Sequence, residues 1–215
     1  MYLPAHFEEN RPEVLHRLMT EHPFATLVTH SPSGLDANHL PFHFDPAGAP
    51  LGSLHAHVAR ANPVWQEVAA QPETLVIFQG PAAYISPNWY PDKHETHRQV
   101  PTYNYMVVHA HGRIVVREDE KFLRGLVGRL TRTMEATEAQ PWKMSDAPAD
   151  FMTQMLAAIV GLEIKITRLT GKWKLGQNKA ARDRLGAAAA LQAHGVEQQT
   201  QLAAAMRNAT PSSDT

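Results

Sequence analysis

The stretch that decides the fold is Ile159-Val-Gly-Leu-Glu-Ile-Lys-Ile-Thr-Arg-Leu169, in which Leu162, Ile164 and Ile166 alternate with Glu163, Lys165 and Thr167. A period of two sends the aliphatic side chains to one face and the polar ones to the other, which predicts a β-strand with one wet side. A strand this late in the chain must join partners laid down earlier. Phe24-Ala-Thr-Leu-Val-Thr-His30 is β-branched and bounded by Pro23 and by Ser31-Pro-Ser-Gly34, so it reads as one. In Leu35 to Phe44, Leu40, Phe42 and Phe44 alternate with Pro41 and His43, and Pro41 predicts an edge or bulged strand. Leu51 to Val58 gives a third strand. Thr74-Leu-Val-Ile-Phe-Gln-Gly80 follows, with Ala83 to Ser86 expected to pair with it beyond the Gly80-Pro81 break. Val100 to Val116 resumes as strand, interrupted at Gly112.

Helices fall between and after these runs. Asn10 before Pro12-Glu13, followed by Val14, Leu15 and Leu18, predicts a helix to about Glu21. Asn62-Pro63 starts a second helix, ending near Gln71-Pro72. Phe122, Leu123, Leu126, Val127, Leu130 and Met134 stand at helical spacing within Glu118 to about Glu138. Ala149 to Ala158 predicts a shorter helix, and from Asn178 two alanine-rich helical stretches break at Gly195. Residues 87–100 carry no periodicity and read as a long functional loop. Six or seven antiparallel strands with inserted and appended helices predict a mainly antiparallel, barrel-like α+β fold.

At 215 residues with 43% hydrophobic and 19% charged side chains, the chain is long enough for a packed core. The net charge of -1 gives no global grip on nucleic acid. Cysteine is absent, which excludes disulfides, thiolate metal sites and thiol catalysis. The N-terminus lacks a basic and apolar leader pattern, and no long apolar window suggests a membrane span, so a cytoplasmic location is expected. Twelve of the 13 histidines lie between His6 and His111, which points to chemistry in the first half.

Three segments are candidates for that chemistry. In His55-Ala-His57-Val-Ala-Arg60-Ala-Asn62-Pro63, a guanidinium and exposed backbone N–H groups at a helix start suit a phosphate, although the same spacing fits a solvated turn capped by Asn62. Tyr84-Ile-Ser-Pro-Asn-Trp-Tyr90 and Val100-Pro-Thr-Tyr-Asn-Tyr105 place aromatic faces beside amides and hydroxyls, which suits a planar heteroaromatic ligand or else a plugged barrel or subunit interface. Leu169-Thr-Gly-Lys-Trp-Lys-Leu-Gly-Gln-Asn178 carries Lys172 and Lys174 on one strand face, available to an anion or to water. The pairs His55/His57 and His109/His111 raise a metal or haem alternative. No nucleophile elbow, phosphate-cradling glycine loop or zinc-protease motif is present.

Met1-Tyr-x-Pro-x-His-Phe7, Asn38-His-Leu-Pro41, His57-Val-Ala-Arg-Ala-Asn-Pro63, Gly80-Pro-x-x-Tyr-Ile-Ser-Pro-x-Trp-Tyr90, Val100-Pro-Thr-x-Asn-Tyr105, Gly161-x-Glu-Ile164 and Gly171-Lys-Trp-Lys174 together resemble the PaiB-like family of FMN-binding negative transcriptional regulators. The matching blocks run in order from Met1 to Gln177-Asn178. This resemblance implies a split β-barrel akin to pyridoxamine-phosphate-oxidase-like proteins, a homodimer, and FMN as cofactor. It implies His57, Arg60 and Asn62 at the phosphate turn, and Asn38 and His39 on the adjacent strand. Tyr84, Ser86, Trp89, Thr102 and Asn104 would then lie near the flavin ring, with Lys172 and Lys174 completing the cofactor set. The sequence departs from the family pattern at Ala82, Tyr103 and Gly176, where His, Trp and Ser are usual.

The expected organisation is an FMN-binding split-barrel domain over 1–177, a helical extension over 178–208 and a flexible tail over 209–215. The expected function is that of a flavoprotein, with flavin-dependent redox chemistry, a ligand-sensing regulator, and a haem or metal protein as distinct readings. A small-molecule ligand is expected as partner. DNA enters only through the family label, since Lys179, Arg182, Arg184 and Arg207 against Asp183 and Glu197 make a weak arm. No catalytic residue and no metal ligand are assigned from sequence.

Overall fold

The structure is a computed structural model and describes residues 1–32, 34–68 and 71–209. The expected tail therefore lies outside the described residues, apart from Ala209. In chain order the elements are β1 (Glu8–Glu9), α1 (Pro12–Glu21), β2 (Phe24–Ser31), β3 (Gly34–Pro41), β4 (His43–Asp45), β5 (Ser53–Ala59), α2 (Val64–Glu67) and β6 (Glu73–Ile85). There follow α3 (Pro91–Thr96), β7 (Thr102–Arg117), α4 (Glu120–Met134), α5 (Ala149–Ala157), β8 (Ile159–Lys174), α6 (Ala181–Ala193) and α7 (Glu197–Asn208). The sheet runs β3-β2-β6-β7-β8-β5-β4, with β1 paired to β8, and its path is open rather than closed. No helix among the described residues is long and apolar enough to cross a membrane.

The chain divides into two compact units. The larger comprises His16–Phe78 and His109–Leu169, the smaller Met1–Leu15, Gln79–Val108 and the chain from Thr170 onward.

In the larger unit the alternation of 159–169 does what a period of two requires. Strand β8 lies antiparallel to β5, with Leu54 opposite Ile164, Ala56 opposite Leu162 and Val58 opposite Val160. These residues are all buried, each fully enclosed aliphatic side chain contributing about 1.5–3 kcal/mol. Helix α4 covers the apolar side with Leu123, Leu126 and Leu130, and Asp119 caps it by accepting from the Phe122 N–H at 2.9 Å. Gly161 is glycine for a local reason: a Cβ there would stand 2.7 Å from the Phe122 ring and 2.9 Å from the Arg117 carbonyl oxygen.

In the smaller unit the core is made by Ala83, Ile85, Tyr90, Leu175, Ala187, Ala188, Leu191, Leu202, Ala203 and Met206. The alanines of α6 face inward and the larger side chains of α7 fill the space beside them. Strand β1 joins the end of β8 here, Glu8 opposite Lys172 and Glu9 opposite Gly171.

Five elements differ from the sequence reading, the first being β7, which runs unbroken through Gly112 where an interruption was expected. The two runs expected to pair across Gly80-Pro81 are one continuous strand, β6. A proline in a strand lacks only its own donor, so the strand continues where that donor is not needed. The run Leu35–Phe44 breaks at Phe42, whose side chain is buried and whose N–H donates to the Pro23 carbonyl at 2.8 Å, dividing it into β3 and β4. The helix after Pro63 is a single turn, α2. Residues 87–100 contain a 3-10 turn, Pro87–Trp89, and α3, which ends at His97 in the left-handed conformation (φ 57°).

Candidate functional site

The candidate residues fall into two groups. In the larger unit, Asn38 on β3 accepts a hydrogen bond from the Asn62 amide at 2.8 Å, and Asn62 accepts in turn from the Val64 N–H at 3.0 Å. His39 is exposed and lies tilted against Phe24, ring centres 6.4 Å apart. Asn38 and Asn62 thus meet, one from β3 and the other from the turn after β5. Arg60 is not free beside them. Its guanidinium donates to Glu118 at 2.6 Å and to the carbonyls of Ala157 and Ile159 at 2.8 and 3.2 Å.

The histidines of β5 are inward groups. His55 shares a hydrogen bond with Ser53 Oγ (3.0 Å), packs edge-on to Phe122 and has a buried Nδ1 with no hydrogen-bond partner. His57 likewise buries an unpartnered Nδ1. Burial lowers the pKa of both, with Glu163 opposing the shift at His55. Of the second pair, His111 meets Arg168 at 3.0 Å, and burial and Arg168 both push it down. Among the described residues no three histidines or carboxylates converge on a metal site.

The second group lies in the smaller unit. Tyr84 and Tyr103 are both exposed and stand edge to face, ring centres 6.0 Å apart. Ser86 caps the 3-10 turn by accepting from the Asn88 N–H at 3.2 Å, and Trp89 packs on the unit's core and against His194. The Lys174 ammonium donates to Thr102 Oγ1 and to the Tyr103 carbonyl, the latter at 2.6 Å. Burial lowers the pKa of Lys174, and repulsion from Lys172 and Lys179 adds to that. Lys172 is buried, donates to the Tyr2 carbonyl at 2.9 Å and lies 5.6 Å from the ring centres of Tyr2 and Tyr105. Asn104 is 2% exposed, and its amide reaches Met206 Sδ at 3.5 Å.

Thr102, Asn104 and Lys174 line a cavity of about 190 Å³ together with Tyr90, Gly176 and Lys179. Sequence reasoning did not single out Lys179 or Tyr90 as site residues, nor Arg184 as a buried one. Lys179 follows the Gln-Asn pair closely enough to have been included, whereas nothing in the alanine-rich stretch around Arg184 distinguishes a buried arginine from an exposed one.

Residues 1–168 match the family model described as "Putative FMN-binding domain". The chain belongs to this FMN-binding family. Its relatives include the protease synthase and sporulation protein PAI 2 of Bacillus subtilis, 31% identical over 183 residues and covering 85% of each chain. An uncharacterized protein of Aspergillus fumigatus is 31% identical over 242 residues, covering 92% of this chain and 93% of its own. Among solved structures, the flavocytochrome Anf3 of Azotobacter vinelandii superposes with a TM-score of 0.59 at 12% identity, over 79% of this chain and 70% of that one. A conserved hypothetical protein of Mycobacterium tuberculosis gives 0.56 at 11% identity, over 81% and 91%. The fold of this FMN-binding family member is thus an α+β split barrel with an open antiparallel sheet. FMN is the cofactor that family membership supplies.

Proposed function

We propose that this chain is a cytoplasmic, homodimeric FMN-binding protein of the PaiB-like family whose flavin performs redox chemistry on a small substrate. The observation that carries the reading is the Lys174 ammonium, held by Thr102 and the Tyr103 carbonyl, on the same unit as the exposed Tyr84–Tyr103 pair. An aromatic face can stack on a flavin ring, and a fixed cation can tune its electronics. The residues fit the cofactor on their chemistry: in this group the donors include lysines and amides, and among the described residues Lys172 and Lys174 donate to the neutral oxygens of Tyr2, Thr102 and Tyr103.

Tyr84, Ser86, Trp89, Thr102, Asn104, Lys172 and Lys174 would hold FMN in the smaller unit, and Asn38, His39, His57 and Asn62 are proposed as cofactor contacts in their own right. FMN supplies the electron or hydride transfer when bound. Lys174 would bring positive charge to a bound ring, which would favour a reduced, anionic flavin. Thr102 and the Tyr103 carbonyl fix the ammonium, so its direction is set before any ligand arrives.

The reading as a DNA-binding regulator draws no support from the chain after Asn178. Arg182 pairs with Glu95 at 2.7 Å, Lys179 donates to Gln99 at 2.6 Å, Arg184 is buried, and Arg207 is bonded to Gln192. The test is the visible spectrum of the purified protein after incubation with excess FMN and gel filtration, with its mass in solution. A retained flavin spectrum on a dimer, bleached by a nicotinamide nucleotide or dithionite and restored by an acceptor, is expected. A protein that retains no flavin removes the proposal.

A further inference from the structure

We infer that the larger unit carries a binding site for an aromatic carboxylate, in the cavity formed by the C-terminal half of α4 and residues 141–144, with Trp142 as its stacking face and Arg132 and Lys143 as its cations. The cavity holds about 490 Å³, the size of a small-molecule pocket, and none of the residues lining it is among those proposed for FMN. The inference therefore does not rest on the FMN reading.

Gly128 opens the cavity. A glycine inside a helix is disfavoured against alanine, and packing does not demand one here: the neighbour a Cβ would meet is Met144 Sδ, at an ordinary contact distance of 3.6 Å. Gly128 and Met144 both line the cavity, so the missing side chain leaves its space to the cavity.

The chain past α4 is fixed by its own acids. Glu135 accepts from the Trp142 N–H at 2.9 Å, and Asp146 accepts from the Lys143 N–H at 2.9 Å. Trp142 is thus held by its backbone while its side chain stays exposed (42% for the residue), although tryptophan is highly buried on average. Ala136 and Pro141 extend the apolar wall beside it. A flat apolar group laid on that ring buries area on both partners and gains a stacking contact.

Charge selects the substituent on that group. Arginine elsewhere in the chain pairs with acids, Arg60 with Glu118, Arg117 with Glu163 and Arg182 with Glu95, whereas among the described residues neither Arg132 nor Lys143 makes an ion pair. The charged residues lining the cavity are these two cations and Glu135, which already serves the Trp142 N–H. Two positive charges against one negative leave a net charge of one, which matches a monoanion. A carboxylate takes charge-assisted hydrogen bonds from such donors that an amide of the same shape cannot.

The experiment is calorimetric titration of the full-length protein, with and without saturating FMN, against cinnamate and its uncharged amide, cinnamamide. Wild-type protein is expected to bind cinnamate saturably and the amide about fivefold more weakly. Arg132→Met should bring cinnamate toward the affinity of the amide and leave the amide unchanged. Trp142→Ala should weaken both by about fivefold. Gly128→Leu fills the space with a good helix former, so it should abolish both while Tm holds. Arg132 and Trp142 are exposed, so their variants carry the test even if Gly128→Leu disturbs α4.

Absence of saturable cinnamate binding, equal affinity for acid and amide, or wild-type affinity in both Trp142→Ala and Gly128→Leu overturns the site. Loss of cinnamate binding at saturating FMN also overturns it, because the ligand would then share the flavin's place. A fall in the solution mass of Trp142→Ala, with no cinnamate bound by wild type, assigns the ring to a contact between copies and overturns it likewise. Cinnamate binding by a protein that takes up no FMN supports this site and overturns the FMN reading.

Discussion

Arg60 Nη1 and Glu118 Oε2 lie 2.6 Å apart, and the same guanidinium ties down the carbonyls of Ala157 and Ile159. An arginine so engaged is a brace between the end of β5 and the α5–β8 junction. Both partners are well exposed, so the ion pair itself contributes no more than about 1 kcal/mol. The two carbonyl bonds add a similar amount each at most. Arg60→Ala is therefore expected to lower stability by about 1–2 kcal/mol, a fall of several degrees in Tm for a chain of this length, while FMN affinity changes less than threefold. Thermal melts and flavin titration of the one variant check both. A tenfold loss of FMN affinity at unchanged Tm would return Arg60 to the phosphate role that the family resemblance implied.

Gly186 sits inside α6, where alanine is ordinarily the better helix former by up to about 1 kcal/mol. Here a Cβ would stand 2.6 Å from the Trp89 carbonyl oxygen and 3.0 Å from Pro91 Cδ. Backbone on one side and a rigid ring on the other cannot give way cheaply. Gly186→Ala should destabilise by about 1–3 kcal/mol despite the helix preference, and a raised Tm would show that α6 moves off the 87–91 segment at no cost.

Much of the fold was readable because local pattern and tertiary role agreed. The alternation in 159–169 and the heptad-like spacing of Leu123, Leu126 and Leu130 each report a face that is buried in the structure. What misled were single residues whose effect depends on a partner strand: Pro81, which a strand accommodates, and Phe42, which ends one. The site was legible to a different degree. The blocks that named Asn38 with Asn62, and Thr102 with Lys174, brought residues that do meet. Arg60 stands in the sequence as a guanidinium at a turn, and the glutamate 58 residues later with which it pairs is not legible there. Arg184 was invisible for the opposite reason, since an arginine in an alanine-rich helix usually faces water.

Burial lowers the pKa of His43, His55, His57, His109 and His111 below the ordinary 6.5. With the folded pKa depressed, the unfolded chain binds more protons in the window just below 6.5, so unfolding becomes more favourable as pH falls through it. The stability these neutral rings permit is present above 6.5 and lost toward the folded values. Tm is expected to be flat from pH 8 to 7 and to fall between pH 6.5 and 5. His55→Gln should flatten part of that fall; for His55 the opposing pull of Glu163 is weaker than burial, so its sign holds. A variant with the wild-type slope would remove His55 from the effect.

The family departures at Tyr103 and Gly176 should respond oppositely to reversal. Tyr103 is 59% exposed, so Tyr103→Trp enlarges an aromatic face without disturbing a core. A gain of about 0.5–1 kcal/mol in stacking corresponds to flavin affinity rising by about two- to fivefold, with Tm unchanged. Gly176→Ser has space, its nearest neighbours standing at ordinary contact distances of 3.6–3.9 Å, but it inherits φ +84°. A side chain there is strained by about 1–2 kcal/mol, so Tm should drop by a few degrees and affinity should not improve. Flavin titrations and melts of the two single variants separate the cases. Gly176→Ser raising both Tm and affinity would show that the local backbone differs from the φ +84° described.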